Sequence, residues 1–254
     1  MEKTKIHVVM RMTPDSRVPQ SGASSRPSWY NKETVFRSVF LTRDENTEFT
    51  VIFDGDPTDH WIHKYPIKEL VPIQVGTDKL SLANMLHFSM NMDLPEDDIL
   101  YFLEDDYLHK KGWCDILREG LSKKLVPEST QFNYVTLYDF DYITLYDHYD
   151  KYHFNDEYAK QAYSNLLSRI VVSKSVHWRT VPSTTNTFAM RFKTFMDDID
   201  THMVYKNIDN DKFLALGKEG RVLASCVPGW STHCHTDFLS PCVDWEEIVK
   251  QLLH

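Results

Sequence analysis

No apolar run in this sequence approaches the ~18 residues that a membrane-spanning helix needs, and the N-terminal MEKTKIHVVMRMTPD turns polar too soon for a secretory h-region. A soluble, cytoplasmic protein without a transmembrane segment is the expectation. Positive charge is also short: 28 Lys and Arg face 37 Asp and Glu, for a formal charge of −9 and a pI near 5.7. The general attraction on which nucleic-acid binding rests is therefore absent, and nucleic acid is not an expected partner. Cysteine is limited to Cys114, Cys226, Cys234 and Cys242, with no CxxC pair, so zinc knuckles and disulfide frameworks are excluded in favour of ordinary thiols. Neither GxGxxG nor GxxxxGK[ST] occurs, which argues against dinucleotide and P-loop sites, and no HExxH supports zinc hydrolase chemistry.

What is present is ordinary globular material: 42% hydrophobic, 26% charged and 13% aromatic residues in 254 positions. A chain of this length can close around one large core. Ile6 to Met12 reads as a strand, followed by a loop from Thr13 to Arg26. Asn31 to Thr42 reads as a helix with Asn31 as N-cap, Glu33 in the first turn and Val35, Phe36, Val39 and Phe40 on one face. Strands are expected at Phe49 to Phe53, Val71 to Val75 and Ile99 to Leu103. A helix at Lys79 to Asn91 carries Leu82, Met85, Leu86 and Met90. Such alternation predicts βαβ units: an α/β fold with a mostly parallel central sheet and helices on both faces. The second half is less regular, with a strand at Tyr134 to Tyr142, a helix at Asp156 to Ile170 and a further strand within Gly217 to Val227.

Sheets of this kind bind ligands beyond the carboxyl ends of their strands. Two such ends are acidic. Asp54 follows the second strand, and Glu104-Asp105-Asp106 follows ILYFL. Three adjacent carboxylates call for a cation, and hard divalent ions such as Mn²⁺ or Mg²⁺ take oxygen ligands that they share with substrate phosphates. In an extended segment Glu104 and Asp106 point the same way and can converge on one ion; the plain alternative is a solvated acidic turn. Near the C-terminus, His233 and His235 in STHCH offer imidazole ligands, or are simply satisfied histidines. Gly76-Thr77-Asp78 presents backbone N–H groups at a helix start, a place for a phosphate or ribose oxygen. Asn186, in the polar stretch Ser183 to Phe188, stands where a sugar or acceptor pocket would need polar groups, or in a capped turn. The tyrosine-rich stretch from Tyr134 to Tyr163 supplies rings for sugar faces, or a packed edge.

The order of these elements, with GTDKLSLANMLHFS, ILYFLEDDY, TTNTFAMR and STHCH, resembles the GT-A glycosyltransferases, in particular the compact single-domain kind of bacteria and viruses. The resemblance spans roughly residues 5 to 245. It implies a single domain, with a nucleotide-binding half over 1–107 and an acceptor-binding, metal-completing half over 108–254. It implies transfer of a sugar from a nucleotide-diphosphate sugar, UDP-sugar favoured, to a glycan or other hydroxyl acceptor with Mn²⁺ or Mg²⁺. Glu104-Asp105-Asp106 matches the DxD-type motif with Glu in the first place, so Glu104 and Asp106 become metal ligands and Asp105 a donor-binding and catalytic residue. His233, then His235, would complete the metal site; Asp54 would contact uracil or ribose; Asp198 would be the acceptor base. Two other classes remain open: a nucleotidyltransferase on a related fold, and a Ca²⁺-stabilised carbohydrate-binding module.

Overall fold

The computed structural model describes residues 3–14, 26–122, 139–152 and 168–253. Most of the Thr13 to Arg26 loop, residues 134–138 of the expected strand and most of the Asp156 to Ile170 helix lie outside the described residues.

The first half follows the periodicity of its sequence. Strand β1 (Ile6–Met12) is followed by helix α1 (Lys32–Phe40), β2 (Thr47–Asp54), β3 (Glu69–Ile73), α2 (Asp78–Met90) and β4 (Ile99–Glu104). Asn31 caps α1 by accepting the Thr34 N–H at 3.1 Å, and Thr77 caps α2. After β4 come β5 (Tyr107–His109) and α3 (Trp113–Gly120). The second half contributes β6 (Tyr142–Thr144), β7 (Ile170–Val172), β8 (His177–Thr180), β9 (Phe188–Arg191), α4 (Phe192–Asp197), α5 (Ile199–Tyr205), α6 (Asp209–Lys218), β10 (Leu223–Val227), β11 (Ser231–His233) and α7 (Trp245–Leu253).

Nine strands form one sheet in the order β3-β2-β1-β4-β9-β6-β10-β8-β7, and β5 pairs with β11 in a separate ribbon. The block β3-β2-β1-β4 is parallel throughout, while β9 and β8 run against their neighbours. Period-two alternation sends the side chains of β1 to opposite faces. Ile6, Val8, Met10 and Met12 pack with Phe36, Val39 and Phe40 of α1 and Trp113 and Leu117 of α3. Val9, Leu100 and Phe102 pack on the other face with Leu82, Met85 and Leu86 of α2 and Phe213 and Leu216 of α6. Helices thus cover both faces, as the sequence predicts, and the architecture is a GT-A-like, Rossmann-type α/β fold. Helix α7 lies on α1, with Trp245 and Val249 against Val35.

Two features of the topology position a site. The chain leaves β1 for β2 and β3 on one side and returns to β4 on the other, so a crevice opens at the carboxyl ends of β1 and β4. Because β9 is antiparallel to β4, with Phe102 beside Phe188, the 183–187 loop that enters β9 arrives at the same edge. The β5–β11 ribbon then sets Tyr107 opposite His233, just past the acidic motif. Among the described residues no helix is long and apolar enough to cross a membrane. Cys114, Cys226 and Cys234 are buried and Cys242 is exposed, all as free thiols.

Candidate active site

A crevice of about 320 Å³ lies at this switch point, lined from β1 and its following loop by Arg11, Thr13 and Arg26, from the start of α1 by Lys32, from the β3–α2 junction by Gly76, Thr77 and Asp78, and from the end of β4 and the turn after it by Glu104, Asp105 and Asp106. Each acid of the motif meets a cation of its own. Arg11, in register with Glu104 across the parallel β1–β4 pair, donates through Nη2 to Glu104 Oε1 at 2.6 Å and through Nη1 to Asp78 Oδ1 at 2.6 Å. Lys32 Nζ donates to Asp105 Oδ2 at 2.7 Å, and the Thr13 N–H donates to the same oxygen at 2.9 Å. Arg26 Nη2 donates to Asp106 Oδ2 at 2.9 Å, with His233 Nε2 3.0 Å from that oxygen.

These surroundings push the two outer acids apart. Burial raises Glu104, Arg11 works against that, the charges of Asp106 and Asp78 add to it, and the carboxyl is pushed up to about 7. Asp106 is also disfavoured by burial, but His233 and Arg26 outweigh it and hold its pKa well below the carboxylate range. Burial opposes the charge on His233, yet Asp106 prevails and raises its pKa. Tyr30 is raised by burial and by Asp105 and Asp106. Its hydroxyl, Arg11 Nε and His235 Nδ1 are buried with no hydrogen-bond partner. Buried polar atoms seldom lack a partner.

The residues singled out from sequence divide into three groups. Glu104, Asp105, Asp106, Gly76 and Asp78 share the crevice, and His233 joins through Asp106. His235 stands behind His233, ring centroids 5.6 Å apart. Asp54 also lines the crevice, but its oxygens accept the Val75 and Gly76 N–H groups at 2.9 to 3.1 Å, so it braces the β3–α2 turn and the Gly76 N–H already has an acceptor. Gly76 has φ +66, a left-handed turn conformation that suits glycine. Asn186 sits in the loop entering β9, where buried Lys212 donates to its Oδ1 at 2.7 Å. Burial pushes Lys212 down to about 8. Its neighbour Thr187 reaches the Glu104 N–H with its hydroxyl at 3.2 Å. Asp198 is not brought to the crevice. It follows α4, which starts beside Asp98 at the opposite edge, and its carboxylate takes Arg221 and the Tyr142 hydroxyl at 2.6 to 3.1 Å.

Sequence reading overlooked Arg11, Arg26, Tyr30, Lys32 and Lys212. Arg11 did leave a signal, as the one charged residue inside the apolar run IHVVMRM. Lys32 left none, because its burial depends on Asp105, 73 residues later.

This arrangement gathers cations, carboxylates and unsatisfied donors at the carboxyl edge of a GT-A-like sheet. No family model and no curated protein sequence matches the chain. Among solved structures it is similar in fold to the apo form of the glycosyltransferase GlyE of Streptococcus pneumoniae TIGR4, at 11% identity and TM-score 0.39, covering 87% of this chain and 45% of GlyE. The chain therefore spans less than half the length of GlyE. It is similar also to CMP:2-keto-3-deoxy-manno-octonic acid synthetase complexed with CTP, at 12% identity, TM-score 0.47 and coverage of 98% and 99%. A third is the 2-C-methyl-D-erythritol 4-phosphate cytidylyltransferase IspD of Francisella tularensis, at 10% identity, TM-score 0.44 and coverage of 98% on both sides. Such likenesses concern the fold alone.

Proposed function

We propose that this protein is a glycosyltransferase that takes its sugar from a nucleotide-diphosphate donor, a UDP-sugar by preference, and passes it to a hydroxyl acceptor such as a glycan. The observation that carries the reading is the convergence, at the β1/β4 switch point, of three consecutive carboxylates with Arg11, Arg26 and Lys32 and with buried donors that lack partners. Guanidinium and ammonium groups so placed can turn from the carboxylates to a diphosphate, in the manner of an anion clamp.

Among the described residues no group of three or more His, Cys, Asp or Glu side chains is arranged to hold a metal ion. Mg²⁺-type ions do not need one, since they are held through one or two carboxylates, waters and substrate phosphates. Asp106 and His233, whose Oδ2 and Nε2 meet at 3.0 Å, are the pair that would hold such an ion, with Glu104 as the further candidate from the motif. The charge balance favours it as well: three cationic side chains line the crevice against five carboxylates, so a diphosphate entering alone meets excess negative charge. When bound, the ion supplies Lewis-acid neutralisation of the departing diphosphate. The chain's own residues do the rest: Lys32 is steered by Asp105, Arg11 is held between Asp78 and Glu104, and the β3–α2 turn is braced by Asp54. Asp198 has no place in the chemistry on this reading. Calorimetric titration with UDP, GDP and CMP, with and without Mn²⁺, tests it together with a donor screen by nucleotide release. Metal-dependent nucleoside diphosphate binding supports transfer; absence of any nucleotide binding sinks it.

One observation favours a second reading as a nucleotidyltransferase. Arg11, Arg26 and Lys32 all come from the end of β1 and the segment after it, where such enzymes carry a basic loop. Preference for a nucleoside triphosphate over the diphosphate sugar in the same titrations would select this reading.

A further inference from the structure

Four lysine and arginine side chains are buried among the described residues: Arg11, Lys32, Arg179 and Lys212. Three of them hold carboxylates. Arg11 pairs with Glu104 and Asp78, Lys32 with Asp105 and Arg179 with Asp147, at 2.6 to 2.7 Å. Lys212, the most enclosed of the four at 1% exposure, forms no ion pair among the described residues. Its one hydrogen bond goes to Asn186 Oδ1, a neutral oxygen, so two of its three N–H groups meet no acceptor there. An ammonium enclosed without a counter-charge costs stability, and an apolar side chain of similar length would avoid that cost. A cation so placed calls for an anion from a ligand.

The fold shows where that anion would arrive. Side chains two residues apart on a strand share a face, so Arg11 and Glu104 lie on the face of Val9 and Phe102, which α6 covers with Phe213 and Leu216. Lys212, also of α6, sets its Nζ 5.4 Å from the ring centroid of Phe188, the residue paired with Phe102. Asn186, which takes its hydrogen bond, precedes Thr187, whose hydroxyl accepts the Glu104 N–H. The charges of Arg11, Glu104 and Asp78, all lining the crevice, act on Lys212 together with that of Asp209, one turn earlier in α6. Since β4 lies between β1 and β9, Arg11 and Lys212 flank Glu104 from its two sides. A flexible four-carbon stem lets the ammonium turn from Asn186 to the crevice with α6 unmoved.

We propose that Lys212 is a fourth cation of the donor site, its ammonium leaving Asn186 to donate to a phosphate oxygen of the bound nucleotide diphosphate. This rests on the nucleotide-donor reading for the identity of the ligand, and inorganic pyrophosphate tests the contact without the nucleoside. UDP and pyrophosphate are titrated calorimetrically into the full chain in one Mg²⁺ buffer, beside thermal melts without ligand. Lys212→Met should weaken both ligands about ten- to a hundredfold, while the midpoint holds or rises because an enclosed charge is gone. Asn186→Asp gives the ammonium a carboxylate of its own, so pyrophosphate should weaken by at least about tenfold with the midpoint again held or raised. A fallen midpoint with unchanged pyrophosphate affinity in Lys212→Met makes the lysine a brace and overturns the contact, as does unchanged or tighter pyrophosphate binding by Asn186→Asp. UDP bound equally by Lys212→Met overturns the contact and leaves the donor reading standing. Pyrophosphate binding that depends on Lys212, without UDP binding, keeps the contact and removes the donor reading.

Discussion

Two charged clusters, one at each edge of the sheet, use similar residues to opposite ends. At the amino edge Arg221 is shared between Asp198 and Asp141, Asp198 also takes the Tyr142 hydroxyl, and Asp141 takes the Val222 N–H. Among the described residues of that edge two buried atoms lack a partner, Nδ1 of His7 and Nδ1 of His202, whose other ring nitrogen lies 3.1 Å from Tyr142 Oη. At the carboxyl edge Glu104, Asp105 and Asp106 are paired as fully, yet Arg11 Nε, Tyr30 Oη and His235 Nδ1 are left without partners around them. Pairing alone therefore does not separate a brace from a site. The surplus of unsatisfied donors and acceptors does, because a finished interior rarely tolerates it and an incoming ligand removes it.

The comparison can be broken most sharply at Asp106. Asp106→Ala should reduce sugar transfer more than about 100-fold while the thermal midpoint without ligand stays within about 2 °C. Near-normal turnover at saturating Mn²⁺ would make the motif a surface turn. Asp198→Asn should give the mirror image. Separating a mostly buried carboxylate from a partly exposed arginine costs about 2 to 3 kcal/mol, or roughly 5 to 10 °C for a chain of this size. UDP affinity, measured by calorimetry, should stay within about twofold.

Asp54→Ala sits between these extremes, since Asp54 holds the β3–α2 turn that lines the crevice. Donor KM should rise roughly tenfold with kcat little changed, and steady-state kinetics in which kcat alone falls would place Asp54 in the chemistry. Acid should expose the amino edge next. Burial keeps His202 of that edge well below its ordinary 6.5, and away from it, in β5, pushes His109 down to about 3. The unfolded chain thus takes up protons that the native chain refuses, so stability is fully present above about pH 6.5 and declines as pH falls below it. Melting curves between pH 7.5 and 5 should follow this slope, and His202→Gln should reduce it, leaving the part due to His109. The smallest effect is a pair of hydroxyl deletions. Tyr30→Phe removes an unsatisfied atom and should leave the midpoint within about 1 °C, with nucleotide affinity about threefold weaker. Tyr142→Phe removes a donor from Asp198 and should lower stability by about 1 to 2 kcal/mol; equal midpoints for the two would erase the distinction.

The sequence made the first half of the fold legible because its information is local. The strand read at Ile6 to Met12 has those bounds, the apolar stripes of α1 and α2 are buried as their spacing implies, and Thr77 caps its helix. The second half resisted for a physical reason. Strands such as β9 and β6 are three or four residues long, and β9 is placed by pairing with β4, some 90 positions earlier, which no local pattern announces. Val71 to Val75 was offset by two residues from the observed Glu69–Ile73, since Pro72 and an exposed edge blur the alternation. At the site, the carboxylates were visible as a motif, whereas the cations opposing them were not. Arg26 and Lys32 read as loop and helix polarity until the fold sets them against Asp106 and Asp105.

The ribbon between β5 and β11 also has a consequence for the newborn chain. Tyr107 is synthesised within three residues of Glu104, but its strand partner His233 follows Asp106 by 127 positions. The β1-to-β4 layer can close its core as it leaves the ribosome, whereas the imidazole beside Asp106 arrives only after β11 has emerged. A ligand of the crevice therefore meets Arg11, Arg26 and Lys32 well before it can meet His233. Until then that half is held by its own apolar packing, its parallel ladders and pairs such as Arg11–Glu104 and Lys32–Asp105.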